Sequence, residues 1–293
     1  MKSTPAPTPI ASPLVLVTGA TDGIGKQTAL DLLRRGSHVL VHGRTAAKAA
    51  AVADELAALV PDARHRVEPF GADLSSLAEV RALASQVIAR HAFLDVLINN
   101  AGVFETERHT TPDGRERTMA INHDAAVLLT HALLEALCAA PQGRVVCVSS
   151  MAHAQGRLRL DDLDGGSSAR AYSGYDAYAV SKLANVLFAV ELARRLAHTR
   201  VTANALHPGV VSTKLLRMGF GMDGPESLQQ GAATSVFLAL DPSVASVSGE
   251  YFSHCRRASP QRAARDDVLC ARFYEESCRR VGVTPLPAAA ERR

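Results

Sequence analysis

The sequence predicts an α/β fold: one domain on a doubly wound parallel sheet of about seven strands, with helices on both faces. Three observations predict it. Short runs rich in Val, Ile and Leu alternate with longer helix-length stretches, the order that gives a parallel sheet with right-handed crossovers. Those runs are apolar almost throughout rather than alternating, as strands covered by helices on both sides are. A glycine-rich turn over residues 18–25 follows the first run directly.

The elements follow in order. Leu14-Val-Leu-Val17 reads as the first strand, and a helix follows over about 24–35. Val39-Leu-Val41 is the second strand, with an alanine-rich helix over 46–59. A third strand lies near 66–70 and its helix over 75–91. Residues 94–98 form the fourth, ahead of one long helix over 116–139. Residues 144–148 form the fifth, and a helix over 175–196 precedes a sixth at 201–206. A helix at 231–240, a last strand at 249–252 and a helix at 263–280 complete the chain. No repeat or linker divides it, so residues 13–283 are expected to form a single domain between a flexible lead (1–12) and a flexible tail (284–293).

Composition removes several function classes. Of 293 residues, 47% are hydrophobic and 21% charged, and the net charge is only +3, with no dense Lys/Arg block for nucleic acid. The five cysteines are odd in number and show no CxxC spacing. Neither a disulfide framework nor a metal site is expected, and a reducing compartment is. Residues 125–140 come nearest to a membrane span but are broken by Thr130, His131 and Glu135. The first ten residues carry no apolar h-region. The expectation is a soluble, cytoplasmic protein without a membrane span.

Two local patterns carry chemistry. In Thr18-Gly19-Ala-Thr21-Asp22-Gly23-Ile24-Gly25, glycines after a strand let a pyrophosphate approach, and the helix N-terminus offers it free N–H groups. The second strand ends His42-Gly43-Arg44 without an acid. A carboxylate there would take the ribose diol of NAD(H), whereas Arg44 can pair with a 2′-phosphate. NADP(H) is therefore favoured over NAD(H), although an arginine at a strand end is also an ordinary surface residue. The second pattern is Tyr178-Ala-Val-Ser-Lys182. Its phenol and ammonium share a helix face, and a nearby cation favours the phenolate and lowers the phenol pKa. By itself the pair reads more readily as an ordinary solvated helix face.

Together these motifs resemble the short-chain dehydrogenase/reductase family. TGxxxGxG at 18–25 is followed in family order by Asp73 with Leu74, Asn99-Asn100-Ala101-Gly102, Ser149-Ser150, Tyr178 with Lys182, and His207-Pro208-Gly209. The matches run from 18 to 213, about two-thirds of the chain. The resemblance implies a Rossmann fold with the cofactor held by Gly19, Thr21, Asp22, Gly23, Ile24, Gly25 and Arg44. Asp73 and Leu74 would lie at the adenine, and Asn100, Ala101, Gly102, Pro208, Gly209 and Val211 along the nucleotide. Thr213 would meet the nicotinamide carboxamide. It further implies Tyr178 as general acid/base, Lys182 tuning it and holding the nicotinamide ribose, Ser150 orienting the substrate oxygen, and Asn122 holding a water near the lysine.

One departure narrows the resemblance. Ser150 and Tyr178 are 28 positions apart, roughly twice the spacing of many compact relatives. That insert, with Tyr-x-x-Ser-Lys-Leu-Ala-Asn over 178–185 and Glu191-Leu-Ala-Arg-Arg-Leu196, resembles the retinol-dehydrogenase-like branch. Several animal members carry an N-terminal membrane anchor, which the opening residues here do not suggest.

Residues 210–224 correspond to the family's substrate lid. Leu215, Leu216, Met218, Phe220 and Met222 make it apolar, and Gly219, Gly221 and Gly224 allow it to move. A small apolar carbonyl or alcohol is the expected substrate, met by Ser150, His153, Leu215 and Met218. A loop packed on its own core would read the same way. His207 is expected to pack rather than transfer protons. A non-catalytic NADP-binding sensor or scaffold, or an epimerase or dehydratase, are the alternatives, though the latter more often carry TGxxGxxG. Family members associate through the helix of the Tyr/Lys pair, which implies a homodimer or homotetramer; Leu183, Val186, Leu187, Phe188 and Val190 fit such an interface or the core.

Overall fold

The computed structural model describes residues 12–165 and 172–288. Residues 1–11 of the expected lead, 289–293 of the expected tail and 166–171 of the insert lie outside the described residues.

Eight strands form one sheet in the order β3-β2-β1-β4-β5-β6-β7-β8. They are β1 (Leu14–Val17), β2 (His38–Gly43), β3 (Val67–Gly71), β4 (Val96–Asn99), β5 (Arg144–Val148), β6 (Thr202–His207), β7 (Tyr251–Ser253) and β8 (Arg256–Ala258). The first seven pair in parallel, and β8 runs antiparallel to β7. β8 is an element the sequence did not announce. Its two-residue turn places His254 at φ 51° and Cys255 at φ 57°, in the left-handed region that Gly or Asn usually marks.

Strand side chains divide by the two-residue period between two cores. Leu16, Leu40, Leu97 and Val145 face one core. Val15, Val39, Val96 and Val146 face the other. Over the first lie α3 (Leu77–Arg90), α5 (Ala125–Ala132), α7 (Gly174–Arg195) and α10 (Asp267–Val281); over the second lie α1 (Gly23–Arg34), α2 (Ala46–Leu59) and α9 (Leu228–Leu240). Leu183, Val186, Leu187, Phe188 and Val190 all belong to the first core. No described helix is long and apolar enough to cross a membrane.

The expected helix over 116–139 is divided. Arg117–Met119 (α4) leads into a π-helical turn at Ala120–Asp124, then α5, and finally Leu134–Ala139 (α6). β1 sits between β2 and β4, and the crossover from β1 to β2 runs through α1 over one face while that from β3 to β4 runs through α3 over the other. The crevice at the carboxyl ends of the strands opens there.

Candidate active site

The glycine turn is fixed from three sides. Gly19 has φ 63°, and a Cβ there would come within 2.8 Å of the Ala101 Cα. A Cβ on Gly25 would come within 2.2 Å of the Gly19 carbonyl oxygen. Thr18 Oγ1 accepts from the backbone N–H groups of Asn100 (2.9 Å) and Ala101 (3.0 Å). Asn100 Nδ2 donates back to the Thr18 carbonyl at 2.8 Å. The end of β4 is thereby bonded to the end of β1. Asp22 caps α1 and accepts from Gly23 N–H. His42 went unnoticed in the sequence: its Nδ1 accepts from Gly19 N–H at 3.1 Å and its Nε2 donates to the Ala72 carbonyl at 3.0 Å. Burial pushes its pKa down to about 4, so the ring stays neutral and can do both.

Arg44 stands exposed just past the end of β2. Burial acts to raise the pKa of nearby Asp73, but hydrogen bonds from Ser75 and the charges of Arg117 and Arg44 outweigh it and hold the carboxyl below its ordinary value. Thr213 caps the short helix α8 (Lys214–Phe220), and its methyl lies 3.5 Å from where a Gly23 Cβ would stand. Val211 and Ile24 meet over Gly231 of α9. The start of α8 and the glycine turn are therefore neighbours.

The four expected catalytic residues come together from the π turn (Asn122), the end of β5 (Ser150) and α7 (Tyr178 and Lys182). The π turn directs three successive side chains to separate anchors. Asn122 Oδ1 accepts from Val103 N–H at 2.7 Å, while its Nδ2 donates to the Val103 carbonyl (3.0 Å) and Ser181 Oγ (2.9 Å). Ser150 lies two residues past β5 and caps the following turn, accepting from Ala152 N–H at 3.2 Å. Its hydroxyl stands near enough to the Tyr178 phenol to act on its titration. Lys182 Nζ donates to the Val148 carbonyl at 3.1 Å, and a Cβ on Gly102 would stand 3.1 Å from that nitrogen and 3.5 Å from Asn122 Oδ1. Gly102 thus keeps open the space between asparagine and lysine.

Electrostatics here are governed by burial. The Tyr178 phenol is pushed up to about 12 by burial, with the neighbouring Ser150 hydroxyl acting the other way. Lys182 is pushed down to about 8 by burial. The depression of the phenol by the ammonium, expected from their spacing, is not seen. The ammonium lies 5.5 Å from the ring centre, and desolvation of a buried phenolate wins over it.

Aromatic rings enclose Tyr178. Phe104 lies 5.5 Å from it and Phe220 of the lid 5.7 Å, centre to centre. Phe104 and Phe220 are 4.9 Å apart, and Tyr175 meets Phe220 edge-on at 6.0 Å. A Cβ on Gly219 would strike the Phe104 ring at 2.6 Å, so that glycine seats α8 on the ring. Leu215 packs on the same cluster, whereas Met218 is 70% exposed. Phe104 and Tyr175 are site residues that sequence reasoning missed. An aromatic two positions after Asn-Ala-Gly was the available signal for Phe104.

His153 is buried with both ring nitrogens on backbone groups: Ser150 carbonyl at 2.7 Å and Gln261 N–H at 3.1 Å. His207 Nδ1 accepts from Met151 N–H at 3.1 Å, and burial takes it down to about 4. Both histidines hold the chain in place here.

The short chain dehydrogenase family profile matches residues 13–160. Retinol dehydrogenase 13 of Homo sapiens is 38% identical over 95% of this chain and 87% of its own length. Retinol dehydrogenase 12 of Mus musculus is 39% identical over 94% and 88%. Among solved structures, an uncharacterized protein from Mycobacterium paratuberculosis superposes with a TM-score of 0.78 at 33% identity, covering 94% of this chain and 96% of its own. A short chain dehydrogenase from Escherichia coli CFT073, complexed with NADPH, gives a TM-score of 0.70 at 25% identity over 84% and 98%. With glycine turn, asparagine, serine, tyrosine and lysine converging on one crevice, this chain belongs to the short-chain dehydrogenase/reductase family, in its retinol-dehydrogenase-like branch.

Proposed function

We propose that this enzyme reduces an apolar aldehyde or ketone to its alcohol with NADPH, and oxidises the alcohol in reverse. The observation that carries the reading is the Ser150 hydroxyl beside the Tyr178 phenol, beneath the rings of Phe104 and Phe220. The crevice suits a nicotinamide dinucleotide: Gly19 and Gly23 turn the chain at positive φ at the start of α1, and Gly102 leaves room before Lys182. Such a cofactor supplies the hydride. Arg44, exposed and without an ion pair among the described residues, is the group for a 2′-phosphate, and the NADPH-bound E. coli relative is consistent with that choice.

The residues divide the remaining work. With its pKa near 12, Tyr178 is protonated at neutral pH and serves as the acid that gives its proton to the carbonyl oxygen as charge develops. The Ser150 hydroxyl orients that oxygen. Lys182 holds positive charge beside the tyrosine, and Asn122, fixed to Val103 and Ser181, faces the same gap. Phe104, Phe220 and Leu215 exclude water and favour an apolar substrate. The retinol dehydrogenases among the relatives make retinoid-like aldehydes the first class to try.

The test is NADPH oxidation with all-trans-retinal, medium-chain aldehydes and a charged keto acid as control, with Tyr178→Phe alongside. Turnover of the apolar substrates, falling about 10²–10⁴-fold in the variant, is expected. Undiminished turnover by Tyr178→Phe would overturn the acid assignment.

A further inference from the structure

The Ser150 hydroxyl has to be presented to the substrate oxygen at a fixed angle, yet it sits at the mouth of a loop. That loop is the single 3₁₀ turn Met151–Gln155, pressed on α7 so closely that a Cβ on Gly156 would lie 2.7 Å from the Ala179 carbonyl oxygen. Three consecutive-region carbonyls of this turn, at His153 (3.2 Å), Ala154 (3.1 Å) and Gly156 (2.8 Å), all accept from one donor, Gln261 Nε2. The Gln261 backbone N–H donates to His153 Nε2 at 3.1 Å, and His153 Nδ1 donates to the Ser150 carbonyl at 2.7 Å. The acceptor role of Nε2 fixes the tautomer that puts the proton on Nδ1, and burial keeps the ring neutral. The Tyr251 ring packs against His153 with centres 4.8 Å apart.

A chain of donors therefore runs from a segment beyond β8 to His153, 108 positions away in sequence, and on to the backbone of Ser150. We propose that Gln261 and His153 are positioning residues for Ser150: together they close its turn and set the angle of its hydroxyl against Tyr178. This rests on the reading of Ser150 as the group that orients the substrate oxygen. It gives His153 a task distinct from substrate contact, because neither ring nitrogen is free to meet a ligand. It also gives the antiparallel β7–β8 hairpin a function, since the hairpin delivers Gln261 to the turn.

Gln261→Leu removes the donor, and Gln261→Glu keeps the shape while turning oxygen lone pairs toward the three carbonyls. Each is expected to lower kcat about 10–100-fold, the scale of a sub-ångström to 1 Å misplacement of a catalytic group. KM for NADPH should stay unchanged, and fluorescence titration with NADPH checks that each variant is folded. The deciding measurement is a double-mutant cycle. On a Ser150→Ala background, Gln261→Leu and His153→Phe should lower kcat no further, since they act only through the serine. Full additivity in that cycle, or unchanged kcat in Gln261→Leu when Ser150→Ala alone is impaired, would overturn the positioning role and leave the proposed reaction standing. An unimpaired Ser150→Ala would remove both. Should Gln261→Leu not fold, Gln261→Glu and His153→Phe carry the same cycle.

Discussion

Lys182 donates its ammonium to the Val148 carbonyl oxygen at 3.1 Å and lies 5.5 Å from the centre of the Tyr178 ring. A buried cation held by one neutral carbonyl is under-compensated, which is why burial takes its pKa down to about 8. The folded state therefore binds fewer protons than the unfolded state between about pH 8 and 10.5. Stability rises with pH across that window, and below it the cost is fully present. Replacing Lys182 by Met should abolish turnover yet raise stability at pH 7 by on the order of 2 kcal/mol. Thermal melts at pH 7 and pH 10 check this. The gain should shrink at the higher pH, and a variant less stable than wild type at pH 7 would contradict it.

The same residue sets the alkaline limb of the rate. Because kcat/KM reports groups of the free enzyme, carbonyl reduction should decline above about pH 8 as Lys182 loses its proton. Tyr178, near 12, stays protonated throughout that range. A pH profile of kcat/KM from 6 to 10 with no inflection near 8 would count against Lys182 as the charge that matters.

Arg44 is exposed and its charge is already felt at Asp73. An exposed guanidinium–phosphate pair is screened by solvent, so Arg44→Ala should raise KM for NADPH only about tenfold at low salt and leave that for NADH nearly unchanged. Arg44→Asp should turn the preference toward NADH, by placing a carboxylate at the ribose diol. Equal effects on both cofactors would remove the 2′-phosphate role.

Much of the fold was legible because its signals are local. Apolar runs such as Val39-Leu-Val41 need only their neighbours to read as strands, and the glycine turn announces itself by order along the chain. What stayed hidden depends on distant partners. The apolar helical pattern continues through Asn122, His123 and Asp124, yet each side chain is held elsewhere: at Val103 and Ser181, at Asn185 and Ser277, and at Arg280. Those anchors open the helix into a π turn that no window of sequence contains. In the site, Tyr178 and Lys182 were visible by spacing, but the sign of the phenol shift was not. Burial decides it, and burial is a property of the packed lid. His153 stood three residues from Ser150 and so suggested substrate contact. The group occupying its Nε2 comes from Gln261, far along the chain.

Arg280 of α10 holds both the π turn and the insert. It donates to both carboxylate oxygens of Asp124, at 3.0 and 2.7 Å, and to both of Asp164, at 2.9 and 3.0 Å. Asp124 is fully buried, and among the described residues the one other cation beside it is Arg115 at 3.5 Å. Asp164 also accepts from Glu116 N–H at 3.0 Å, which ties the segment before Tyr178 to the start of α4. Removing the guanidinium leaves Asp124 as a poorly compensated buried charge, so Arg280→Met should cost about 3–5 kcal/mol. Arg280→Lys should recover only a small part of that, because a point charge cannot bond two carboxylates edge-on. Burial acts to raise the Asp164 pKa, but Arg280 outweighs it and holds the carboxyl below its ordinary value. The stability it contributes is therefore present above about pH 4 and lost as the pH falls through the lower, folded value. Urea melts at pH 7 and about pH 3 should show wild type losing stability toward acid more steeply than Arg280→Met. Equal slopes, or a loss below about 1 kcal/mol at pH 7, would show the clamp to be no stronger than a surface pair.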